Sequence, residues 1–142
     1  MFYLTGFNEP DSCLVLDKTF ESSELNVKFF ASPNDIESLL WSGPRAGIEG
    51  CKEIFGLQNV YEMNKLDDFV SELKYQNSST VFMDYHAEHS SLKPELFKIL
   101  NEKMKMKSFE SIVSKLRLVK TAGEQSLLRI SGSIAAESFK EV

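Results

Sequence analysis

The hydrophobic positions of this chain follow two periods that alternate along the sequence. Short apolar runs bounded by turn residues are typical of β-strands. They predict strands at residues 2–4, 13–16, 27–30, 60–61 and 80–85. Because the second run (CLVL) is continuously apolar, we expect that strand to be buried on both faces. The first three runs lie close together in the chain and predict a meander of neighbouring strands.

Helical spacing fills the segments between these runs. An example is the set Leu66, Phe69, Val70 and Leu73, which recurs at i, i+3, i+4 and i+7. The same period predicts helices over residues 32–40, 48–55, 65–74, 92–105 and 122–140. Residues 112–119 fit either a helix or a buried strand. Strands and helices in alternation predict an α/β domain.

Capping residues mark the ends of several predicted helices. Ser32 can cap the first of them with Pro33 at the first helical position, and Gly56 can end the second. Thr121 and Glu124 form a capping box at the start of the last helix. We expect that helix to turn four apolar side chains inward, namely Leu127, Ile130, Ile134 and Phe139.

The segment 39–47 (LLWSGPRAG) carries the only tryptophan of the chain and an arginine within a Gly/Pro loop. Glycine allows backbone turns that other residues avoid and proline fixes its own φ, so we expect such a loop to keep one conformation, which holds its side chains in fixed positions. Because Trp and Arg are enriched where a surface binds a partner, Trp41 and Arg45 are candidate contact residues. In the alternative interpretation Trp41 packs inward and Arg45 is simply solvated. The spacing does not decide between the two.

Composition and charge exclude some classes of partner. The chain has 142 residues and a net charge of -5, which argues against non-specific nucleic-acid binding and against an anionic membrane surface. No apolar run approaches the length of a membrane span, and residues 1–5 lack the charged start of a signal peptide. Cys13 and Cys51 follow no metal or redox spacing and are predicted to be buried free thiols.

Residues 84–89 (DYHAEH) hold both histidines of the chain. A metal site built from Asp84, His86, Glu88 and His89 is one interpretation, since imidazole and carboxylate groups bind metals. The two histidines do not have the spacing of a zincin helix, and Ser90 and Ser91 favour a loop. The sequence also lacks a nucleophile elbow, a P-loop and a dinucleotide fingerprint. Residue types alone therefore predict no complete catalytic site.

Three segments, in the right order, resemble the aminopeptidase P family. They are residues 2–12 (FYLTGFNEPDS), 40–47 (LWSGPRAG) and 116–124 (LRLVKTAGE). The first two resemble its mitochondrial branch, which comprises X-Pro aminopeptidases of the third type and intermediate-cleaving peptidases. The third departs from the family pattern, because residues 121–123 (TAG) replace the usual Ser-Pro opening; threonine also caps a helix.

The resemblance implies an N-terminal creatinase-like domain over residues 1–120, with a mixed β-sheet flanked by helices. Met1 falls inside the family's domain, so we expect this domain to be incomplete at its N-terminus. Residues 121–142 are expected to form the linker and the first helix of a pita-bread catalytic domain. In the full-length enzyme that catalytic domain holds two Mn²⁺ ions and the catalytic residues. We therefore expect no catalytic or metal-ligating residue in this chain and no activity from it alone.

The resemblance also implies partners and sites. In relatives this domain mediates oligomerisation, so we expect a dimer or tetramer in which Trp41 and Arg45 contact the peptide substrate of a neighbouring subunit. Tyr3 and one turn would shape the same surface. The turn residues are Gly6, Asn8, Glu9 and Pro10.

The resemblance further implies a cellular role for the full-length enzyme. It would remove single N-terminal residues, including residues that precede proline, from proteins during mitochondrial processing. The chain shows no transit peptide, so a cytoplasmic location also stays open. An alternative function is a stand-alone, non-enzymatic interaction module that pairs with full-length relatives.

Overall fold

A computed structural model describes residues 2–18, 24–73, 80–83 and 94–141. In these ranges the chain forms seven α-helices, five strands and one 3₁₀ turn at Met63–Lys65. The helices are Phe2–Thr5 (α1), Ile36–Ser42 (α2), Gly47–Phe55 (α3), Leu66–Glu72 (α4), Pro94–Lys103 (α5), Glu110–Leu118 (α6) and Ala122–Lys140 (α7). The strands are Cys13–Asp17 (β1), Asn26–Ala31 (β2), Val60–Glu62 (β3), Thr80–Met83 (β4) and Lys105–Ser108 (β5).

The first three strands form one mixed sheet in the order β1-β2-β3. β1 runs antiparallel to β2, with Cys13 opposite Phe30. β3 runs parallel to β2, with Val60 opposite Phe29. β4 and β5 pair in parallel as a second, two-stranded sheet. The expected mixed sheet with flanking helices is confirmed.

β2 lies between two hydrophobic clusters, because successive side chains of a strand point to opposite faces. On one face Phe29 packs with Phe7, and the ring centroids are 5.0 Å apart in an edge-to-face arrangement. Phe7 also meets the ring of Phe55 from α3 at 5.2 Å. Cys51 of α3 completes this cluster and is fully buried. Helix α3 is thereby packed onto the sheet.

On the opposite face of β2, Phe30 packs with buried residues of α4 and α5, which are Leu66, Val70 and Leu100. Phe69 adds a ring at 5.6 Å from that of Phe30. Four methionines pack against this second cluster, namely Met63, Met83, Met104 and Met106. Methionine has a flexible, unbranched side chain, so it fills the irregular space between these elements.

Several sequence predictions are confirmed. The helix predicted over residues 48–55 is α3, and Gly56 ends it with a left-handed φ of +65°. Thr121 and Glu124 form the predicted capping box at the start of α7. The ambiguous segment 112–119 lies largely within helix α6. Both cysteines are free thiols as predicted, but only Cys51 is buried, whereas Cys13 at the edge strand is half-buried.

The strand predicted at residues 2–4 is wrong, and so is the meander that depended on it. Residues Phe2–Thr5 form the single helical turn α1, which gives way to Gly6 at a φ of +73°. Aromatic residues favour strands only where a neighbouring strand gives them a surface to pack on. The recorded ladder partner of β1 is β2. Tertiary context therefore decides this short segment.

Two further predictions are wrong: the burial predicted for β1 and the helix predicted over the residues of β5. Residues 13–15 are half-buried and Leu16 is exposed instead of buried on both faces, because β1 lies at the edge of its sheet. The helix predicted over residues 92–105 ends at Lys103, and Lys105–Ser108 form a strand. In this strand, exposed lysines alternate with the half-buried Met106 and Ser108. This period-2 pattern is too short to recognise in the sequence directly after a helical segment.

The four side chains predicted to turn inward from α7 are exposed instead: Leu127, Ile130, Ile134 and Phe139. The described residues place no element over this face of the helix, which has no buried residue. The spacing of apolar residues predicted this amphipathic helix correctly. Spacing does not show which element, if any, covers the apolar face. Within the described ranges, no helix has the length and apolar character needed to cross a membrane.

The connection between α2 and α3 contains two glycines with left-handed φ. Gly43 has a φ of +75° and open space where a Cβ would point. Gly47 has a φ of +61°, and a Cβ there would lie 2.9 Å from the Cβ of Asn34. Glycine at position 47 therefore allows the start of α3 to approach the chain just before α2.

Phe7→Ala should strongly destabilise the domain, whereas Phe139→Ala should not. Phe7 is buried between Phe29 and Phe55, so truncation leaves a cavity and is expected to cost about 3–5 kcal/mol of unfolding free energy. Phe139 is exposed on α7, and its truncation should change stability by less than about 0.5 kcal/mol. Urea unfolding followed by circular dichroism measures both. Equal losses would contradict this account of the core.

Gly47→Ala should destabilise the domain more than Gly43→Ala. Both substitutions force alanine into a left-handed conformation, at a cost of about 1–2 kcal/mol. Only position 47 adds an overlap with Asn34, for a further cost of about 1–3 kcal/mol. Thermal unfolding of the two matched variants measures the difference. Identical midpoints would show that the close approach is not maintained in solution.

Candidate functional site

The structure brings together the two motifs that stand out in the sequence. The turn at residues 9–12, hereafter the acidic turn, contacts residues on either side of α2. The backbone N–H of Ala46 donates a hydrogen bond to Oε1 of Glu9 at 2.9 Å. Ser32 Oγ donates to the carbonyl oxygen of Asp11 at 3.3 Å. Arg45 Nη1 lies 3.9 Å from Oδ2 of Asp11.

Residues 34–47, hereafter the α2 arm, form a surface loop whose two ends meet. Gly47 packs against Asn34 at the base of this arm. Within it, Leu39 N–H donates to the carbonyl of Asp35 at 3.0 Å, and Gly43 N–H donates to the carbonyl of Leu39 at 3.1 Å. The arm is therefore a short helix closed at its base, a form that often carries functional residues in proteins.

Ser32 does not cap α2 as its sequence context predicts. The helix begins at Ile36, and the recorded hydrogen bond of the Ser32 hydroxyl goes to Asp11. The same residue types that begin helices also stabilise turns, because a short hydroxyl side chain bonds to any backbone group within reach. Here the bond joins the acidic turn to the chain that leads into the α2 arm.

The acidic turn is held in place from both sides. Phe7 anchors it in the first hydrophobic cluster, and the Phe7 N–H donates to Oγ1 of Thr5 at 3.1 Å. Ser12 Oγ donates to the carbonyl of Glu9 at 3.3 Å. Asp11 has a positive φ of 53°, which aspartate tolerates better than most residues. Gly6, Asn8 and Pro10 are exposed, whereas Glu9 is half-buried.

Trp41 points outward, contrary to the interpretation in which it packs into the core. Its side chain is 87% exposed, and it lies inside α2 instead of in the loop that follows. Ile36 and Leu40 of the same helix are about as exposed. An exposed cluster of large apolar side chains is typical of a surface that binds a partner.

Arg45 is not a solvated side chain either. Only 13% of it is exposed, and it lies beside Asp11. The exposed end of the α2 arm is therefore apolar, and the charged residue of the motif lies at its base. Of the two candidate contact residues, Trp41 is therefore exposed to solvent and Arg45 is largely buried.

Tyr3 lies beside α6. The guanidinium carbon of Arg117 lies 5.8 Å from the centroid of its ring, a cation–π contact with α6. The two side chains share a groove of about 530 Å³ between α1 and the helices α6 and α7. Sequence reasoning missed this groove, because nothing in the local pattern brings α1 against α6. The other lining residues are Ser114, Leu118, Lys120, Glu124, Leu127, Leu128 and Ser131.

Cys51 of α3 is an unreactive thiol in the first hydrophobic cluster. Burial, and then the negative charge of Glu9, raise the pKa of Cys51. Burial likewise raises the pKa of Cys13. Because the thiolate is the nucleophilic form, both cysteines stay protonated at neutral pH and supply no nucleophile.

The suggested metal site at residues 84–89 lies outside the described residues. Across the ranges that the structure describes, no group of three or more His, Cys, Asp or Glu side chains is placed to hold a metal ion. The donors in these ranges therefore do not fit a metal centre.

Comparison with known proteins supports the resemblance seen in the motifs. The sequence pattern of the aminopeptidase P N-terminal domain matches residues 1–82. Over 98% of its length the chain is 29% identical to Xaa-Pro aminopeptidase 3 of Mus musculus and 33% identical to the protein of that name from Dictyostelium discoideum. Over 96% it is 29% identical to the mitochondrial intermediate cleaving peptidase 55 of Arabidopsis thaliana.

These relatives are much longer than the chain. It spans 29% of the mouse protein and 27% of each of the other two. Among solved structures, proline aminopeptidase P II from Yersinia pestis superposes on 99% of the chain with a TM-score of 0.81 at 21% identity. The chain covers 34% of that structure, so the fold is shared with one part of it. The chain therefore belongs to the family of the aminopeptidase P N-terminal domain.

Proposed function

We propose that this chain is the N-terminal, non-catalytic portion of a manganese-dependent metalloaminopeptidase that removes single N-terminal residues, X-Pro bonds included. The observation that carries the proposal is the α2 arm. It exposes Trp41 on a short helix, and the two ends of the arm meet where Gly47 packs against Asn34. An apolar surface of this kind in an otherwise acidic domain is suited to a peptide or to a neighbouring subunit.

In this proposal the domain works through an assembly. A homo-oligomer, either a dimer or a tetramer, places the α2 arm of one subunit at the active site of another. There Trp41 packs against the peptide substrate. The flat indole ring suits a proline side chain, since aromatic surfaces are the common docking sites for proline-containing peptides.

The chemistry belongs to residues outside this chain. In the proposed enzyme the metal ions activate a water molecule for attack on the peptide carbonyl. The donors in the described ranges do not fit such a centre. The contribution proposed for this domain is therefore to bind the peptide and to restrict access to the site.

Mitochondrial protein processing is the proposed setting. It is supported by the Arabidopsis relative, whose name includes that location.

A stand-alone interaction module is the second candidate function. It is favoured by the exposed apolar faces of α2 and α7, which would allow the domain to pair with longer relatives without doing chemistry. This alternative, unlike the first, requires the 16.1 kDa chain to occur as such in the cell.

The endogenous protein should be larger than the 16.1 kDa of this sequence. The chain spans less than a third of the relatives that it matches, so the peptidase proposal expects a longer product. Immunoblotting with an antibody against this domain, combined with intact-mass spectrometry, measures the size. A species of 16.1 kDa alone would overturn the peptidase proposal and leave the interaction module.

Trp41→Ala should lower kcat/KM of the longer enzyme by about tenfold on X-Pro peptides, an effect typical of a truncated aromatic contact residue. The thermal midpoint should not change, because the side chain is 87% exposed. Ile54→Ala on α3 is the matched control, since it also removes a large exposed apolar side chain. Equal kinetics for wild type, Trp41→Ala and Ile54→Ala would contradict a peptide contact by the arm.

A further inference from the structure

We propose that Glu9 is a positioning residue that sets the orientation of the α2 arm by holding the backbone N–H of Ala46. The side chain reaches across from the acidic turn to the base of the arm, where Oε1 accepts a hydrogen bond at 2.9 Å. Trp41 lies five residues before the bonded amide. The consequence for peptide binding rests on the proposed function, whereas the geometric part does not.

Ala46 needs an acceptor from elsewhere in the chain. It precedes the first turn of α3, and no side-chain hydrogen bond caps that helix locally. The first N–H groups of a helix have no partner within the helix, so an unmet donor at this half-buried position would be costly. Glu9 meets this need, and its negative charge suits the positive end of the helix dipole.

The Glu9–Ala46 hydrogen bond is shorter than the two other contacts described between the acidic turn and residues in or just before the arm. The Arg45–Asp11 pair is separated by 3.9 Å and involves an aspartate that is largely exposed. Ion pairs of that kind contribute little. The Ser32–Asp11 bond is long at 3.3 Å and exposed. The Glu9 bond is shorter, partly buried and charge-assisted.

The link is effective because both of its ends are anchored. Phe7 fixes the acidic turn in the core. Gly47, next to Ala46, packs against Asn34 at the other end of the arm. If Glu9 releases Ala46, the arm keeps its helix but loses this hydrogen bond at its C-terminal end. We expect Trp41 then to sample a wider range of orientations.

The test uses Trp41, the only tryptophan of the full 142-residue chain, excited at a wavelength that its tyrosines do not absorb. Time-resolved fluorescence anisotropy reports its nanosecond motion, the timescale of loop movements. Glu9→Ala should roughly double the amplitude of the fast decay, because loops released from a contact gain motion on this timescale. Glu9→Gln should resemble wild type, since its amide oxygen can still accept the Ala46 N–H. Glu53→Ala, which removes an exposed carboxylate on α3, is the matched control.

Glu9→Asp keeps the charge but shortens the side chain by one methylene. It should behave like Glu9→Ala, because the proposal depends on reach instead of on charge. This variant also answers the case in which Glu9→Ala fails to fold. Hydrogen exchange of the Ala46 amide gives a second readout. Exchange should be slow in wild type and Glu9→Gln, and at least tenfold faster in Glu9→Asp, as expected for a lost hydrogen bond.

Two results would overturn the proposal. One is an unchanged anisotropy decay and unchanged Ala46 exchange in Glu9→Asp. The other is a Glu9→Gln variant as mobile as Glu9→Asp, because an amide oxygen with the same reach would then fail to hold the Ala46 N–H. Failure of the proposed function gives a different result. In the longer enzyme, Trp41→Ala would then leave kcat/KM unchanged while Glu9→Asp still altered the motion of Trp41.

Discussion

Burial of β2 on both faces is the constraint on which the rest of the structure depends. Phe29 faces the cluster with Phe7 and α3, and Phe30 faces the cluster with α4 and α5. Because β2 is the central strand of its sheet, neither cluster can form without it. The two adjacent phenylalanines thus join helices from distant parts of the sequence into one domain. The alternation of side chains along a strand is sufficient to produce this arrangement.

The same packing positions the candidate site. Phe7 belongs to the core through edge-to-face contacts with Phe29 and Phe55, and it carries the acidic turn two residues later. Helix α3 belongs to the same core through Cys51, and Ala46 and Gly47 lie at its start. Glu9 and Ala46 meet because both are attached to one cluster. The α2 arm projects from this base with its apolar side chains outward.

Two groups of exposed apolar residues have different surroundings. Trp41 and its neighbours lie on a short helix closed by Gly47 and connected to the acidic turn. The leucines and isoleucines of α7 lie on a long helix that starts anew after α6, with a capping box at Thr121. The first group resembles a presented contact surface, and the second resembles an unpaired helix face. Both are consistent with a domain that acts as part of a larger assembly.

Sequence by itself determined the elements whose signals are local. The capping box at Thr121 and Glu124, the glycine end of α3 and the strands around Phe29 and Phe30 follow from neighbouring residues. Motif resemblance determined the family, because three segments in order identify it more securely than any single residue. Tertiary structure alone decided that residues 2–5 form a helix, that Ser32 bonds to Asp11 and that Glu9 reaches Ala46. These depend on contacts between residues far apart in the chain, which no local pattern encodes.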